Sequence, residues 1–138
     1  MKQIFRPDGV PPLPFFSPVI KAGDFVFVSG NAGLLPGHAP SGEGVDWTPG
    51  KLADGGIKGQ TRQALENIRL SLESAGAGLD DVVKVNTYLR DVDLHFHEYN
   101  EVYMEYFPHD GPTRTTVGVK IYGPILVEIE CIAYAPES

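Results

Sequence analysis

A helical apolar repeat between two strand-like segments is the feature that most limits how this chain folds. The repeat consists of Ile57, Thr61, Ala64, Leu65, Ile68, Leu72 and Ala75. Spacings of three and four residues predict a helix with one buried face. Residues 24–30 before it and residues 81–89 after it are rich in β-branched and aromatic residues, as strands are. Helices interleaved with strands predict an α+β domain.

A second helix and two more strands complete the predicted order. Asp91 or Asp93 can cap this helix at its N-terminus. Its apolar stripe contains Phe96, Tyr99, Tyr103, Tyr106 and Phe107. Two strands follow, over residues 114–119 and 125–134. Within the earlier strand, alternation predicts a shared face for Val83, Val85, Thr87 and Leu89. The whole order predicts two helices on a mixed sheet.

Two segments are predicted to lie outside this regular structure. Residues 1–18 contain Pro7, Pro11, Pro12, Pro14 and Pro18. Because proline is incompatible with a helix interior and restricts the residue before it, this segment is predicted to be an extended lead-in. Residues 31–56 are rich in glycine and proline and predict a long loop, with a short strand at residues 45–47 as an alternative. Residues 1–138 are expected to form a single domain.

Composition narrows the class of partner. The net charge of −7 leaves the chain without the basic surface that nucleic acids require. A small anionic ligand is compatible with this charge, because one local cation can outweigh a distant negative surface. No signal-peptide core or membrane-spanning apolar run is found, so we expect a cytoplasmic protein with no membrane partner.

Two charged residues are the strongest candidates for a site. Arg114 begins a predicted strand with no acidic neighbour in the chain, and its planar guanidinium matches a carboxylate in a two-pronged geometry. The alternative is an arginine paired with a distant glutamate. Glu128 shares a strand face with Glu130. A half-buried carboxylate there would have a raised pKa and could act as a general base, whereas the alternative is a solvated glutamate.

Other chemistries have less support in the sequence. His95 and His97 alternate with two aspartates, but this segment opens a helix, where positions two apart diverge, so no metal site is predicted. Ser29 does not lie in a G-x-S-x-G nucleophile motif. The single cysteine, Cys131, alternates into an apolar face and is predicted to be a core residue. Phosphate-loop and dinucleotide motifs are absent from the sequence, so we expect no cofactor.

Five separated stretches of the chain occur in the order and spacing of a known family. They are "IKAGDFVFVSGN", "QTRQALENIRLSLESAGAGLDDVVKVNTYLRDV", "YNEVYMEYFP", "GPTRTTVGV" and "VEIECIAY". Together they resemble the Rid (YjgF-type) reactive intermediate deaminases, an endoribonuclease L-PSP-like family. The resemblance implies a chorismate-mutase-like α+β fold, with two helices packed on one face of a mixed sheet. It also implies a homotrimer with clefts between subunits.

The resemblance further implies a hydrolase that works without a cofactor. Such an enzyme deaminates 2-imino or 2-enamino acids, such as 2-iminopropanoate and 2-iminobutanoate, to 2-oxo acids. Arg114 matches the family arginine that binds the substrate carboxylate, and Glu128 matches the glutamate that helps place the attacking water. Ser29, Gly30 and Asn100 match substrate-binding positions of the family.

The chain departs from the family pattern at two positions near the implied site. Phe16 stands at or near the position of a family tyrosine, and Thr116 replaces a cysteine two residues after the arginine. Phe16 is expected to wall the substrate pocket without a hydroxyl, and Thr116 to face substrate through its backbone. Two alternatives therefore stay open. One is a non-catalytic trimer that binds small carboxylates, and the other is a deaminase for a larger acid, such as an aminomuconate-like one.

Overall fold

The computed structural model of the chain describes residues 1–10, 15–36 and 51–137. The strands are β1 (Lys2–Phe5), β2 (Val19–Ala22), β3 (Phe25–Asn31), β4 (Val82–Leu89), β5 (Thr113–Gly118) and β6 (Val127–Tyr134). The helices are α1 (Gly56–Ser74) and α2 (Val92–Tyr106), with a 3₁₀ turn at Leu79–Asp81. The predicted α+β class is confirmed. The alternative strand at residues 45–47, and most of the predicted loop around it, lie outside the described residues.

The described strands form a six-stranded mixed sheet in the order β1-β2-β3-β6-β4-β5. Only β4 and β5 are parallel neighbours; the other four pairs are antiparallel. A parallel pair needs a crossover between its strands, and α2 provides this crossover. β5 is therefore an edge strand beside α2, and the segment at residues 119–126 leads from it back to β6 in the middle of the sheet.

Both helices pack on one face of the sheet, as predicted. All seven residues of the predicted α1 repeat are buried. They meet the inward residues of β6, which are Val127, Ile129, Cys131 and Ala133. On α2, Tyr99 and Tyr103 are buried, as is Phe107 directly after the helix, whereas Phe96 remains 39% exposed and Tyr106 is half-buried. Burial of this apolar surface is the main stabilising contribution to the fold.

Two features of the sheet differ from the predictions. β1 lies within the lead-in, which was predicted to be extended and was not among the predicted strands, and β2 follows the lead-in directly. Pairing of β1 with β2 decides their strand state, since the apolar pattern of such short segments is weak. The prediction that Val83 shares a face with Val85 is wrong. A β-bulge between Val82 and Lys84 turns Val83 outward, where it is 43% exposed.

The second face of the sheet carries neither helix. Phe25, Phe27 and Tyr134 lie on it and are 43%, 44% and 46% exposed, and Glu128 and Glu130 lie farther along the same face. Apolar patches of this kind mark surfaces that meet a partner. As for membranes, the described residues contain no helix with both the length and the apolar character to cross a bilayer.

Candidate functional site

A cavity of about 420 Å³ opens on the second face of the sheet, where β3, β4 and β6 lie side by side. Its lining residues are Phe16, Ser29, Gly30, Tyr88, Val119, Lys120, Ile121, Tyr122, Glu128 and Glu130. Four residues predicted from the sequence are thus brought together: Phe16, Ser29, Gly30 and Glu128. The size is that of a pocket for a small molecule.

Gly30 determines where the Glu128 carboxylate lies. The pairing of β3 with β6 shifts register between Val28 and Asn31, so a β-bulge contains Ser29 and Gly30. A Cβ atom built on Gly30 would lie 2.7 Å from Oε1 of Glu128. Only glycine leaves this space, so the close approach of the β3 backbone to the carboxylate depends on it.

Ser29 anchors the lead-in beside the cavity. Its hydroxyl donates a 2.6 Å hydrogen bond to the carbonyl of Ser17, and its backbone N–H donates to the carbonyl of Pro18. These bonds hold the chain next to Phe16, whose ring is 43% exposed where it lines the cavity. In this chain the Ser29 hydroxyl therefore already has a structural partner.

The electrostatics of Glu128 suit a group that exchanges protons. Burial raises the pKa of the Glu128 carboxyl, and the nearby negative charge of Glu130 raises it further. Glu130 itself is held by hydrogen bonds from Asn86 and from the hydroxyl of Tyr88, at 3.1 and 3.3 Å. Among the described residues, none donates a hydrogen bond to Glu128. Its oxygens are thus available to a ligand or a water molecule.

Arg114 lies in a separate cluster between β5 and α2. Its Nη1 donates a 2.7 Å hydrogen bond to Oδ1 of Asn100. The guanidinium carbon is 4.7, 5.6 and 5.8 Å from the ring centroids of Tyr103, Tyr99 and Phe96. These rings give cation–π contacts on the helical side. Within the part of the chain that the structure describes, Arg114 forms no ion pair, so its positive charge has no anionic partner.

Two buried hydroxyls in the same cluster also lack partners. The Tyr103 hydroxyl and the Thr116 Oγ1 are buried with no hydrogen bond to any described residue. Burial raises the pKa of Tyr103 to about 12, so its phenol keeps its proton at physiological pH. Since buried polar groups are nearly always paired, these two hydroxyls mark an incompletely satisfied polar environment around Arg114.

The two clusters lie on opposite faces of the sheet. Arg114 is paired with Val85, whose side chain points into the core under the helices. Glu128 is paired with Tyr88, three residues farther along β4 and on the other face. Because side chains alternate along a strand, odd separations reverse the face. One chain therefore brings Arg114 together with Asn100 and places Thr116 on the same face, but it does not bring them to Glu128.

Several pocket residues were missed from the sequence. Val119, Lys120, Ile121 and Tyr122 form one wall of the cavity, in the segment that follows β5. Arg90 holds this segment: its guanidinium donates to the carbonyls of Ile121 at 2.6 Å and of Ile125 at 2.9 Å, and also to that of Gly123. An arginine directly after a strand was a signal, but its target carbonyls lie more than thirty residues away in the chain.

Other reactive groups have structural roles. The described residues contain no cluster of three side chains suited to hold a metal ion. His97 pairs with Glu101 one turn along α2, at 3.0 Å. Cys131 is buried, as predicted, and burial raises the pKa of its thiol to about 12, so it is not a nucleophile at neutral pH.

Comparison with known proteins places this geometry in context. A family model described as Endoribonuclease L-PSP matches residues 9–135. A RutC family protein of Pyrococcus horikoshii is 43% identical over 97% of this chain and 98% of its own length. The 3-aminoacrylate deaminase RutC of Acinetobacter baylyi is 36% identical over 96% of this chain and 98% of its own. The crystal structure of RidA from an Antarctic Psychrobacter has a TM-score of 0.82 at 33% identity, covering 96% of this chain and 98% of that one.

Proposed function

The chain belongs to the Rid (YjgF-type) family, and on that premise we propose that it hydrolyses 2-imino or 2-enamino acids to 2-oxo acids and ammonia. The observation that carries the proposal is the Glu128 carboxyl, which has a raised pKa and lies in a cavity beside Gly30 without a hydrogen-bond donor among the described residues. Such a group can take a proton from a bound water molecule.

The reaction needs no covalent bond to the protein. The oxygen of water adds to the electrophilic imine carbon, and the electron pair of the C=N bond moves to nitrogen. A first proton passes from the water to Glu128 and then to nitrogen, which gives an amino alcohol. The remaining hydroxyl proton then also moves to nitrogen, the C–N bond breaks, and ammonia leaves as the C=O bond forms. An enamine first takes a proton on carbon to become the imine. Catalysis is then mainly the holding of substrate and water in line.

Arg114 supplies the binding of the substrate carboxylate. Its guanidinium is positioned by Asn100 and backed by the ring of Tyr103, yet has no carboxylate partner among the described residues. An arginine with this support presents its remaining N–H groups as a preformed fork for a planar anion. Thr116 lies two residues farther along the same face of β5, and we expect its backbone to line the bound acid.

The site is complete only when two copies of the chain meet. Arg114 and Glu128 are on opposite faces of one sheet, and the face that carries Glu128 is also lined with exposed Phe25, Phe27 and Tyr134. We propose that this face packs against a neighbouring subunit in a homotrimer, so that each cleft combines Arg114 of one subunit with Glu128 of the next. A closed ring of three gives three equivalent clefts.

Complementation between two inactive variants tests this arrangement. Arg114→Ala and Glu128→Gln are each expected to abolish the acceleration of 2-oxo acid release from 2-aminoacrylate, generated in place by a serine dehydratase. After the two variants are unfolded together and refolded at equal amounts, each mixed trimer should contain one intact site. With random assembly, roughly three quarters of trimers are mixed, so the activity should recover to about a quarter of the wild-type value.

The controls separate assembly from chemistry. Each variant refolded alone should stay inactive while sedimenting as a trimer. No recovery in a mixture that demonstrably contains mixed trimers would place both groups in one subunit and refute the shared cleft. Failure of the wild type to accelerate the hydrolysis of any imine, while it still binds 2-oxobutyrate, would instead favour the non-catalytic carboxylate-binding trimer. The absence of a hydroxyl at Phe16 is the observation that keeps this second function in view.

A further inference from the structure

Lys120 is a cation in the wall of the Glu128 cavity that the proposed reaction does not use. It lines the cavity with Tyr122 and Glu128. It forms no hydrogen bond or ion pair with any residue that the structure describes, although two carboxylates line the same cavity. One of these, Glu130, is already held by Asn86 and Tyr88. The ammonium group is therefore free to meet a ligand.

The backbone on both sides of Lys120 is fixed. The N–H of Val119 donates a 2.9 Å hydrogen bond to the carbonyl of Leu89. The carbonyl of Ile121 accepts a 2.6 Å hydrogen bond from Arg90, and the Ile121 side chain is only 8% exposed in a small apolar cluster. Because the backbone is already fixed, only the Lys120 side chain has to be ordered when a ligand binds, which limits the entropic cost of recognition.

In the cleft completed by two subunits, Lys120 is a cation without a role in the proposed reaction. Arg114 of one subunit takes the carboxylate next to the imine, and Glu128 of the next subunit handles the water. A cavity of about 420 Å³ has room for a substrate that extends beyond these groups. An extension that reaches Lys120 would be stabilised there if it carried a negative charge, and an apolar one would leave the ammonium without a partner.

We propose that Lys120 recognises a second acidic group on the substrate, so that the enzyme prefers 2-imino acids with a carboxylate at the far end. The inference rests on the proposed function and names its substrate class. Binding is expected in an extended pose, with the near carboxylate at Arg114 and the far carboxylate at Lys120. Lys120 does not touch the reacting carbon in this pose and determines specificity only.

A matched pair of substrates tests the proposal. Imino acids generated from glutamate and from norvaline by amino-acid oxidases have the same five-carbon chain and differ at the end, where one bears a carboxylate. The wild type should have the higher kcat/KM for the glutamate-derived imine. Lys120→Gln should lower that preference by about two- to fivefold, the range for one partly exposed ion pair, mainly through KM. The rate with the norvaline-derived imine should not fall.

The controls distinguish failure of the Lys120 assignment from failure of the proposed deaminase function. Lys2→Gln removes the same charge from β1, away from the cavity lining, and should leave the preference intact. Equal losses with both substrates in Lys120→Gln, or no preference in the wild type, would overturn the assignment of Lys120 while leaving the deaminase activity standing. If no imine is turned over, calorimetry can measure the binding of 2-oxoglutarate and 2-oxopentanoate instead. Lys120→Gln should weaken the binding of 2-oxoglutarate, the diacid, and leave that of 2-oxopentanoate unchanged. Equal effects on the two ligands would refute the assignment of Lys120.

Discussion

Gly30 and Glu128 are so close that a single added methyl group at position 30 would displace the carboxylate. Its Cβ would lie 2.7 Å from Oε1 and 3.1 Å from Cδ of Glu128, well inside contact distance. The obstacle is the far end of a flexible side chain, which can rotate, and not backbone, which cannot. The relationship therefore concerns the position of the carboxylate more than the stability of the fold.

Gly30→Ala is accordingly expected to impair activity with little loss of stability. Displacing a catalytic group by about 1 Å can lower the rate about a hundredfold. We expect a fall in kcat of this order, measured by 2-oxo acid release, with a thermal midpoint within a few degrees of the wild type. Gly78→Ala is the matched control, because a Cβ there meets no heavy atom within 4 Å. Full activity in Gly30→Ala would show that the Glu128 position is not critical.

Arg114→Lys should be a poor replacement although it keeps the charge. An ammonium cannot form the two parallel hydrogen bonds that a guanidinium gives to a carboxylate, and it cannot bond Asn100 in the same geometry. Loss of one charge-assisted hydrogen bond corresponds to a fall of about 10- to 100-fold in kcat/KM. Arg62→Lys, at the exposed ion pair with Glu105, is the control and should be neutral. Comparable kcat/KM in both variants would argue that charge alone suffices.

Glu128→Gln should remove catalysis and also change how stability depends on pH. The pKa of Glu128 is raised in the folded state, first by burial and then by Glu130, so the folded chain holds this proton more tightly than the unfolded chain. Stability from this group is therefore greatest at low pH and falls as pH rises from the unfolded pKa through the folded one. The variant should be more stable than the wild type at pH 7, and the difference should vanish below about pH 4. Turnover should fall by about 10²- to 10⁴-fold.

Glu66→Gln provides a control of opposite sign. Hydrogen bonds from Arg69, and to a lesser extent from Tyr106, lower the pKa of Glu66 despite its partial burial. Its contribution to stability is present above the unfolded pKa and is lost as pH falls through the folded one. This variant should be less stable than the wild type at pH 7 and equal to it at low pH. Denaturant unfolding at several pH values measures the free energy of unfolding of both variants. If Glu128→Gln and Glu66→Gln changed the stability at pH 7 in the same direction, the assigned pKa shifts would be contradicted.

Arg90→Lys should loosen the cavity wall. One ammonium cannot reach the carbonyls of Ile121, Gly123 and Ile125 together, and carbonyls left without partners destabilise by about 1–3 kcal/mol. Amide hydrogen exchange over residues 119–126 should accelerate, with exchange in α1 unchanged. Arg69→Lys, on an exposed helix surface, serves as control. Unaltered exchange in this segment would mean that other contacts hold the wall.

Local sequence patterns were sufficient for most of the secondary structure. Helices and strands have fixed periods, so the spacing of apolar residues shows which face is buried. This spacing correctly predicted the buried faces of α1 and β6. The same alternation correctly assigned Glu128 and Cys131 to opposite faces. Alternation did not predict that Val83 turns outward, because the β-bulge there depends on pairing with the partner strand and not on the residues themselves.

What the sequence determined by itself is the inventory: an α+β chain, an arginine at position 114 with no acidic neighbour in the chain, a half-apolar strand that bears glutamates, and the stretches that identify its family. Only the tertiary structure decided how these meet. Strand pairing put Arg114 under α2 and Glu128 on the other face, and the Arg90 contacts carried Lys120 into the cavity wall. The physical reason is that a residue's type and spacing specify which face it takes, whereas its neighbours on that face come from distant segments that only folding brings together.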